Sequence, residues 1–147
     1  MALPSASFFY RYKGHRYPTA KLVETLHHNA LVRFGGLGGI RDTAALQSAL
    51  YAPISSAGGQ DAYPTFFTKV AALGFRLAKN HAFHDANKRT AWLAVETTLH
   101  ANGYYTSRPA IEIEDIMVLM AAGYLSLEGF RAFLLMACNQ DYTDPRL

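Results

Sequence analysis

Apolar residues in this chain recur mostly at helical spacing. Leu22, Val23, Leu26, Ala30 and Leu31 share one face of a segment over residues 19–34. Thr19 can cap its start and Gly35-Gly36 ends it. Asp42 caps a second helix reaching about Tyr51, with Leu46, Ala49 and Leu50 inward. A third helix is expected over 65–80, with Phe66, Val70, Leu73 and Leu77 on one face. A fourth starts near Lys88, carries the stripe Ala91, Trp92, Val95 and Leu99, and stops at the C-cap pair Asn102-Gly103. A short extended piece over 104–108 leads to two more helices, about 113–122 and 127–136. Ahead of all these, aromatic and basic residues alternate over 8–17 around Lys13-Gly14-His15. That pattern fits a short β-hairpin turning at Gly14 better than a stacking platform for bases. The pattern predicts an all-α bundle of about six helices with a short N-terminal β-hairpin.

Neither a repeat nor a linker interrupts this order. Residues 1–147 read as one domain, with an extension over 1–18, a core over 19–136 and a polar tail over 137–147. Residues 53–64 form the loosest segment, marked by Ser55, Ser56, Gly58 and Gly59, and are long enough to serve a function. Half of the chain is hydrophobic and 17% is charged, a composition that builds a core and excludes a disordered tail. The single Cys138 excludes an intramolecular disulfide framework and a cysteine-rich zinc site; with no base beside it in sequence, it reads as a packed residue. No apolar run reaches the roughly 18 residues that span a bilayer. The N-terminus lacks a basic stretch followed by an apolar one, so no signal peptide is expected and the cytoplasm is the expected compartment. A net charge of +3 admits an anionic ligand. Without a lysine- or arginine-rich block or a nucleic-acid-binding motif, direct contact with nucleic acid is not expected.

The chemistry concentrates in residues 81–90, His-Ala-Phe-His-Asp-Ala-Asn-Lys-Arg-Thr. The first turn of a helix carries partial positive charge and favours acidic residues. Here it carries Lys88 and Arg89, each unfavourable there by roughly 0.3–1 kcal/mol. A bound anion, most simply a phosphate, is their natural complement. Lys88 also falls in line with Trp92, Val95 and Leu99, so its base points along the apolar face. Asn87 reads as the N-cap. Asp85 can favour the helix dipole or, beside a polyphosphate, hold Mg²⁺. His81 can satisfy the last carbonyls of the third helix or accept a proton from an attacking hydroxyl. Phe83 is a core anchor for the loop, and His84 a neighbour without a role. A zinc site from His81, His84 and Asp85 has loop spacing and no matched second shell. Gly35, Gly36, Gly38 and Gly39 follow a helix and precede no Gly-Lys-Ser/Thr, so they read as turn glycines and not as a phosphate loop.

The string His81-x-Phe83-x-Asp85-Ala86-Asn87-Lys88-Arg89 resembles the signature of the Doc branch of the Fic superfamily, the death-on-curing toxins. Phe34-Gly-Gly-Leu-Gly-Gly-Ile-Arg-Asp42, Ser48-Ala-Leu50 and Asn102-Gly103 resemble further landmarks, so the likeness covers about residues 19–136. It implies a helical Fic fold with the motif between two central helices. It implies His81 as general base, Phe83 as loop anchor, Asp85 as Mg²⁺ ligand, and Asn87, Lys88 and Arg89 as holders of ATP phosphates. It places residues 53–64 where the family has a target-docking flap. The general Fic pattern is His-Pro-Phe-x-x-Gly-Asn-Gly-Arg-x-x-Arg; here Lys88 replaces its second glycine and Trp92 its last arginine. Both changes fit transfer of the γ-phosphate, as the Doc resemblance implies, better than AMP transfer. The resemblance further implies elongation factor Tu as target, arrest of translation, and a cognate antitoxin whose C-terminal segment covers the site. Ser126-Leu-Glu128-Gly129 approaches the family's self-inhibitory motif with the wrong spacing, so no internal inhibitor is expected. A nucleotidyl transferase of the same fold, and a helical binding module with a vestigial site, are the alternatives.

Overall fold

Strands β1 (Phe9–Tyr12) and β2 (His15–Pro18) pair antiparallel across Lys13-Gly14, with Tyr10 opposite Tyr17. This is seen in a computed structural model that describes Leu3 and residues 6–147. The start of the expected N-terminal extension, and with it the signal-peptide reading, involves residues 1, 2, 4 and 5, which lie outside the described residues. Tyr10 and Tyr17 are buried while Arg11 and Arg16 are exposed, so the ribbon turns its tyrosine face into the core. Asn102 fastens it to the body: its amide accepts from Arg16 N and donates to Arg16 O, both at 2.9 Å.

Six helices follow: α1 (Ala20–Phe34), α2 (Thr43–Leu50), α3 (Phe66–Lys79), α4 (Asn87–Ala101), α5 (Ala110–Ala121) and α6 (Leu127–Ala137). The expected caps Thr19 and Asp42 form, and Thr65 caps α3 as well. Thr19, Asp42 and Thr65 each accept from the backbone N–H three residues on, and Gly103 takes a left-handed φ of 85° after α4. Helix α3 is the axis of the bundle. It packs against α4, α6, α2 and α5 and is buried on nearly every side, beyond the single face that its apolar spacing marks. Gly74 makes the closest crossing there, because a Cβ at this position would lie 2.6 Å from Val95 Cγ2 and 2.9 Å from Phe130 Cε2.

Three expectations shift. Helix α5 begins at Ala110, one turn before residue 113. Its first turn buries nothing, so apolar spacing could not mark it. The buried face of α4 is Thr90, Ala91, Ala94, Val95, Thr98 and Leu99, with Trp92 half-buried at its edge. The polar tail folds back: Leu147 packs on the core and its carbonyl oxygen accepts from Phe67 N at the start of α3.

Residues 53–64 are more ordered than their composition suggests. After a 3₁₀ turn (Ala52–Ile54), strands β3 (Ser56–Ala57) and β4 (Gln60–Asp61) pair across Gly58-Gly59, both at positive φ as a two-residue hairpin turn requires. The base of this ribbon is knotted to the body by one carboxylate. Asp61 accepts from Lys69 at 2.8 Å, Tyr12 Oη at 2.6 Å and Lys13 at 2.9 Å. The buried Lys69 ammonium also donates to Tyr63 O, so its charge is fully paired. Lys69 first, then Tyr12 and Lys13, hold the Asp61 carboxyl well below the usual carboxylate range.

Two outcomes follow from this packing. Gly74→Ala gains about 1 kcal/mol of helix propensity but forces Val95 and Phe130 aside, at a cost of about 1–3 kcal/mol, so its urea midpoint should fall below that of the parent. Asp61 ionises more easily folded than unfolded. Its contribution is therefore complete above the unfolded value near 4 and is lost as pH falls through the folded one. Asp61→Asn should melt below the parent at pH 7, and the gap in Tm should narrow steadily below about pH 4.

Candidate active site

The segment joining α3 to α4 is too short to form an element and carries two non-glycine residues in left-handed backbone. Asn80 closes α3, His81 turns to φ 51°, and Ala86 turns to φ 64° immediately before α4. Such conformations cost roughly 1–3 kcal/mol each and persist only where surroundings enforce them.

The enforcement comes from the glycine segment over 36–42, which lies antiparallel beside the motif. Arg41 Nε donates to His81 O at 2.8 Å. Arg41 N and Asp42 N both donate to Ala82 O, at 2.7 and 3.0 Å. Ile40 and Phe83 form an isolated bridge, and His84 N donates to Gly39 O at 3.4 Å. Leu37 N donates to Asp85 Oδ2 at 2.7 Å. Gly36 meets the motif closely, since a Cβ there would lie 3.2 Å from Asp85 Cβ at a φ of 124°. The glycines therefore do more than turn the chain: they let one loop lie flush against another.

Two side chains complete the hold. Phe83 is 2% exposed, and its ring stacks on His27 at 3.9 Å between centroids. His27 Nε2 lies 2.9 Å from Asp85 O, and since a carbonyl only accepts, Nε2 carries the proton. Asn87 is the first residue of α4 and not its N-cap. Its amide instead accepts from Phe83 N at 3.0 Å and donates to Phe83 O at 2.9 Å, closing the loop on itself.

With Ala86 at the cap position, α4 begins without a side-chain acceptor. The N–H groups of Asn87, Lys88 and Arg89 are left without an intrahelical partner, as at any helix start. Lys88 lies in line with Val95 and Leu99 as expected, yet it is exposed, because the buried run begins only at Thr90-Ala91 and the first turn stands clear of the core. The Arg89 guanidinium rests 4.0 Å above the Phe34 ring, which orients it without neutralising it. Among the described residues no carboxylate pairs with Lys88 or Arg89.

His81 stands exposed at the other end of the loop, its imidazole without a hydrogen-bond partner among the described residues. The Asp85 carboxylate is exposed, and the protein engages only Oδ2. One carboxylate with an unengaged oxygen, completed by phosphate oxygens, is the donor set that Mg²⁺ takes, so the chemistry of Asp85 fits that ion. His81, His84 and Asp85 do not converge as a three-ligand metal cluster. All six motif residues singled out by sequence thus lie on this loop and helix start. The supports that sequence reading missed are His27 and Arg41. The first had a signal, a polar residue among Val23 and Ala30 on the buried stripe of α1; the second lay within the landmark string over 34–42, which marks the segment and not the partner of its arginine.

Comparison with known proteins agrees with this geometry. Residues 17–99 match the family model described as the Fic/DOC family. The chain is also 49% identical over 105 residues to Toxin Doc of Mycolicibacterium smegmatis, a match covering 70% of this chain and 81% of that protein. The matched region contains Tyr17 of the hairpin, the glycine segment, residues 53–64 and the whole motif. This chain belongs to the Fic/DOC family.

Proposed function

We propose that this protein is a Doc-like toxin of a toxin–antitoxin pair and a protein kinase. It moves the γ-phosphate of ATP to a hydroxyl of a translation factor, elongation factor Tu by family resemblance, in the cytoplasm. The observation that carries the reading is the start of α4: three unpaired N–H groups and two unpaired cations, with an exposed imidazole at the far end of the same splinted loop. Polyphosphate supplies the missing negative charge. The similarity to a protein called Toxin Doc supports the toxin role and a cognate antitoxin.

In this reading the helix start, Lys88 and Arg89 hold the phosphates and stabilise charge as it develops on the transferring group. Asn87 keeps that helix start locked to the loop through Phe83. His81 accepts the proton of the incoming hydroxyl as its oxygen bonds to the γ-phosphorus; the bond to the bridging oxygen breaks and ADP leaves. Asp85 would hold Mg²⁺, which when bound neutralises phosphate charge. Lys88 stands where a general Fic enzyme has glycine, and Trp92 contributes apolar contact where that pattern has a cation, which supports γ- over α-phosphate transfer. The family resemblance makes residues 53–64 the target-docking flap, and their short ribbon, pinned at its base by Asp61, offers a strand edge to the target chain.

Incubation with elongation factor Tu and ATP labelled at either the γ- or the α-phosphate tests the reading. Label should reach protein from the γ position alone; transfer from the α position would replace it with nucleotidyl transfer, and no label together with harmless expression would point to a vestigial binding module. His81→Ala should lose transfer by at least about 100-fold, the scale of general base catalysis, while its far-ultraviolet spectrum and Tm stay near the parent. A fully active His81→Ala would remove the imidazole from the mechanism.

A further inference from the structure

His81 is placed by its backbone, and one side chain outside the motif grips that backbone directly. Arg41 Nε donates to His81 O at 2.8 Å across forty residues of sequence. The carbonyl it holds belongs to the residue whose φ is 51°, the strained point from which the imidazole projects. Ala82 O, next along, is already held by two backbone N–H groups, so the Ala82–Phe83 peptide is fixed by main chain and the His81–Ala82 peptide, through His81 O, by this guanidinium. The terminal guanidinium nitrogens of Arg41 make no ion pair or hydrogen bond among the described residues, and the residue is exposed. A purely structural arginine would spend its charge on a carboxylate or its stem on the core. This one makes a single side-chain hydrogen bond, to the carbonyl of the candidate base.

We infer that Arg41 is a positioning residue for His81, fixing the peptide that aims the imidazole through a hydrogen bond from Nε and not through its charge. The inference rests on His81 being the proton acceptor. Side-chain geometry makes the two roles separable. Glutamine places its amide nitrogen at the same bond count from Cα as arginine Nε, whereas methionine places a methyl group there. Arg41→Met removes the donor, and Arg41→Gln restores a donor without charge.

Steady-state transfer of label from ATP should show kcat of Arg41→Met lowered on the order of 10- to 100-fold, the range of a misaimed catalytic group. The KM for ATP and the Tm should stay near the parent, since no phosphate contact, ion pair or core packing is removed. Arg41→Gln should recover most of the lost kcat. Unchanged kcat in Arg41→Met overturns the inference, as does an Arg41→Gln variant as slow as Arg41→Met. Hydrogen exchange of the Arg41 Nε–H, identified in ¹⁵N spectra as the signal missing from Arg41→Gln, supplies a readout independent of turnover. It should exchange measurably slower than the Nε–H of Arg11 or Arg33, exposed arginines whose Nε–H has no hydrogen-bond partner among the described residues. Exchange at the rate of a free side chain overturns the contact whatever group the enzyme transfers. A slow Nε–H with no label moved from either phosphate would instead fault the kinase reading and leave the grip on His81 standing.

Discussion

The arrangement hinges on backbone pairing between two loops. A loop that crosses from one helix to the next has peptide groups with no ladder of their own, and buried peptide groups must find partners. Residues 81–85 find theirs in residues 37–42, through bonds to His81 O, Ala82 O, His84 N and the Asp85 carboxylate. That pairing holds two left-handed residues in place, fixes the spacing between His81 and the start of α4, and gives the glycine segment its purpose. Phe83 then drives the loop into the core, where His27 meets it from α1.

The two halves of the protein's polar chemistry are handled in opposite ways. At the flap, charge is satisfied internally: Asp61 is surrounded by three donors, and the buried Lys69 has no unmet demand. At the motif, charge is left open: Lys88 and Arg89 have no carboxylate, the helix start has no cap, and His81 has no partner among the described residues. These groups are exposed and open to an anionic ligand. The flap, by contrast, is rigidly placed because its own charges are spent.

Much of this was legible in the residues. The caps Thr19 and Asp42, the inward faces of α2 and α3, and the presence of His81, Phe83, Asp85, Asn87, Lys88 and Arg89 on one loop and helix start all follow from local pattern. The errors have a common origin. Asn87 has the composition of an N-cap, yet Ala86 takes the left-handed turn and shifts the helix start by one residue; an alanine gives no hint of that conformation. Lys88 has the right angle on the wheel but the wrong depth along the axis. The first turn of α5 buries nothing, so periodicity could not announce it. The contact of Arg41 was invisible for a further reason: its partner is a main-chain carbonyl, which every residue carries. Pairings between distant backbones leave no mark on side-chain spacing.

The distances along the chain give the loop pairing a kinetic meaning. Helices α3 and α4 adjoin in sequence and pack tightly, so the centre of the bundle can assemble from local contacts. The bonds from Arg41 to His81, Leu37 to Asp85 and His27 to Asp85 join residues 40, 48 and 58 positions apart. Closing such spans costs chain entropy that only the long-range contacts themselves offset. A chain that has collapsed but not docked its glycine segment would possess helices, a core and every motif residue, and still lack an aimed histidine. Whatever chemistry the motif performs therefore depends on these long-range contacts as well as on the helices and the core.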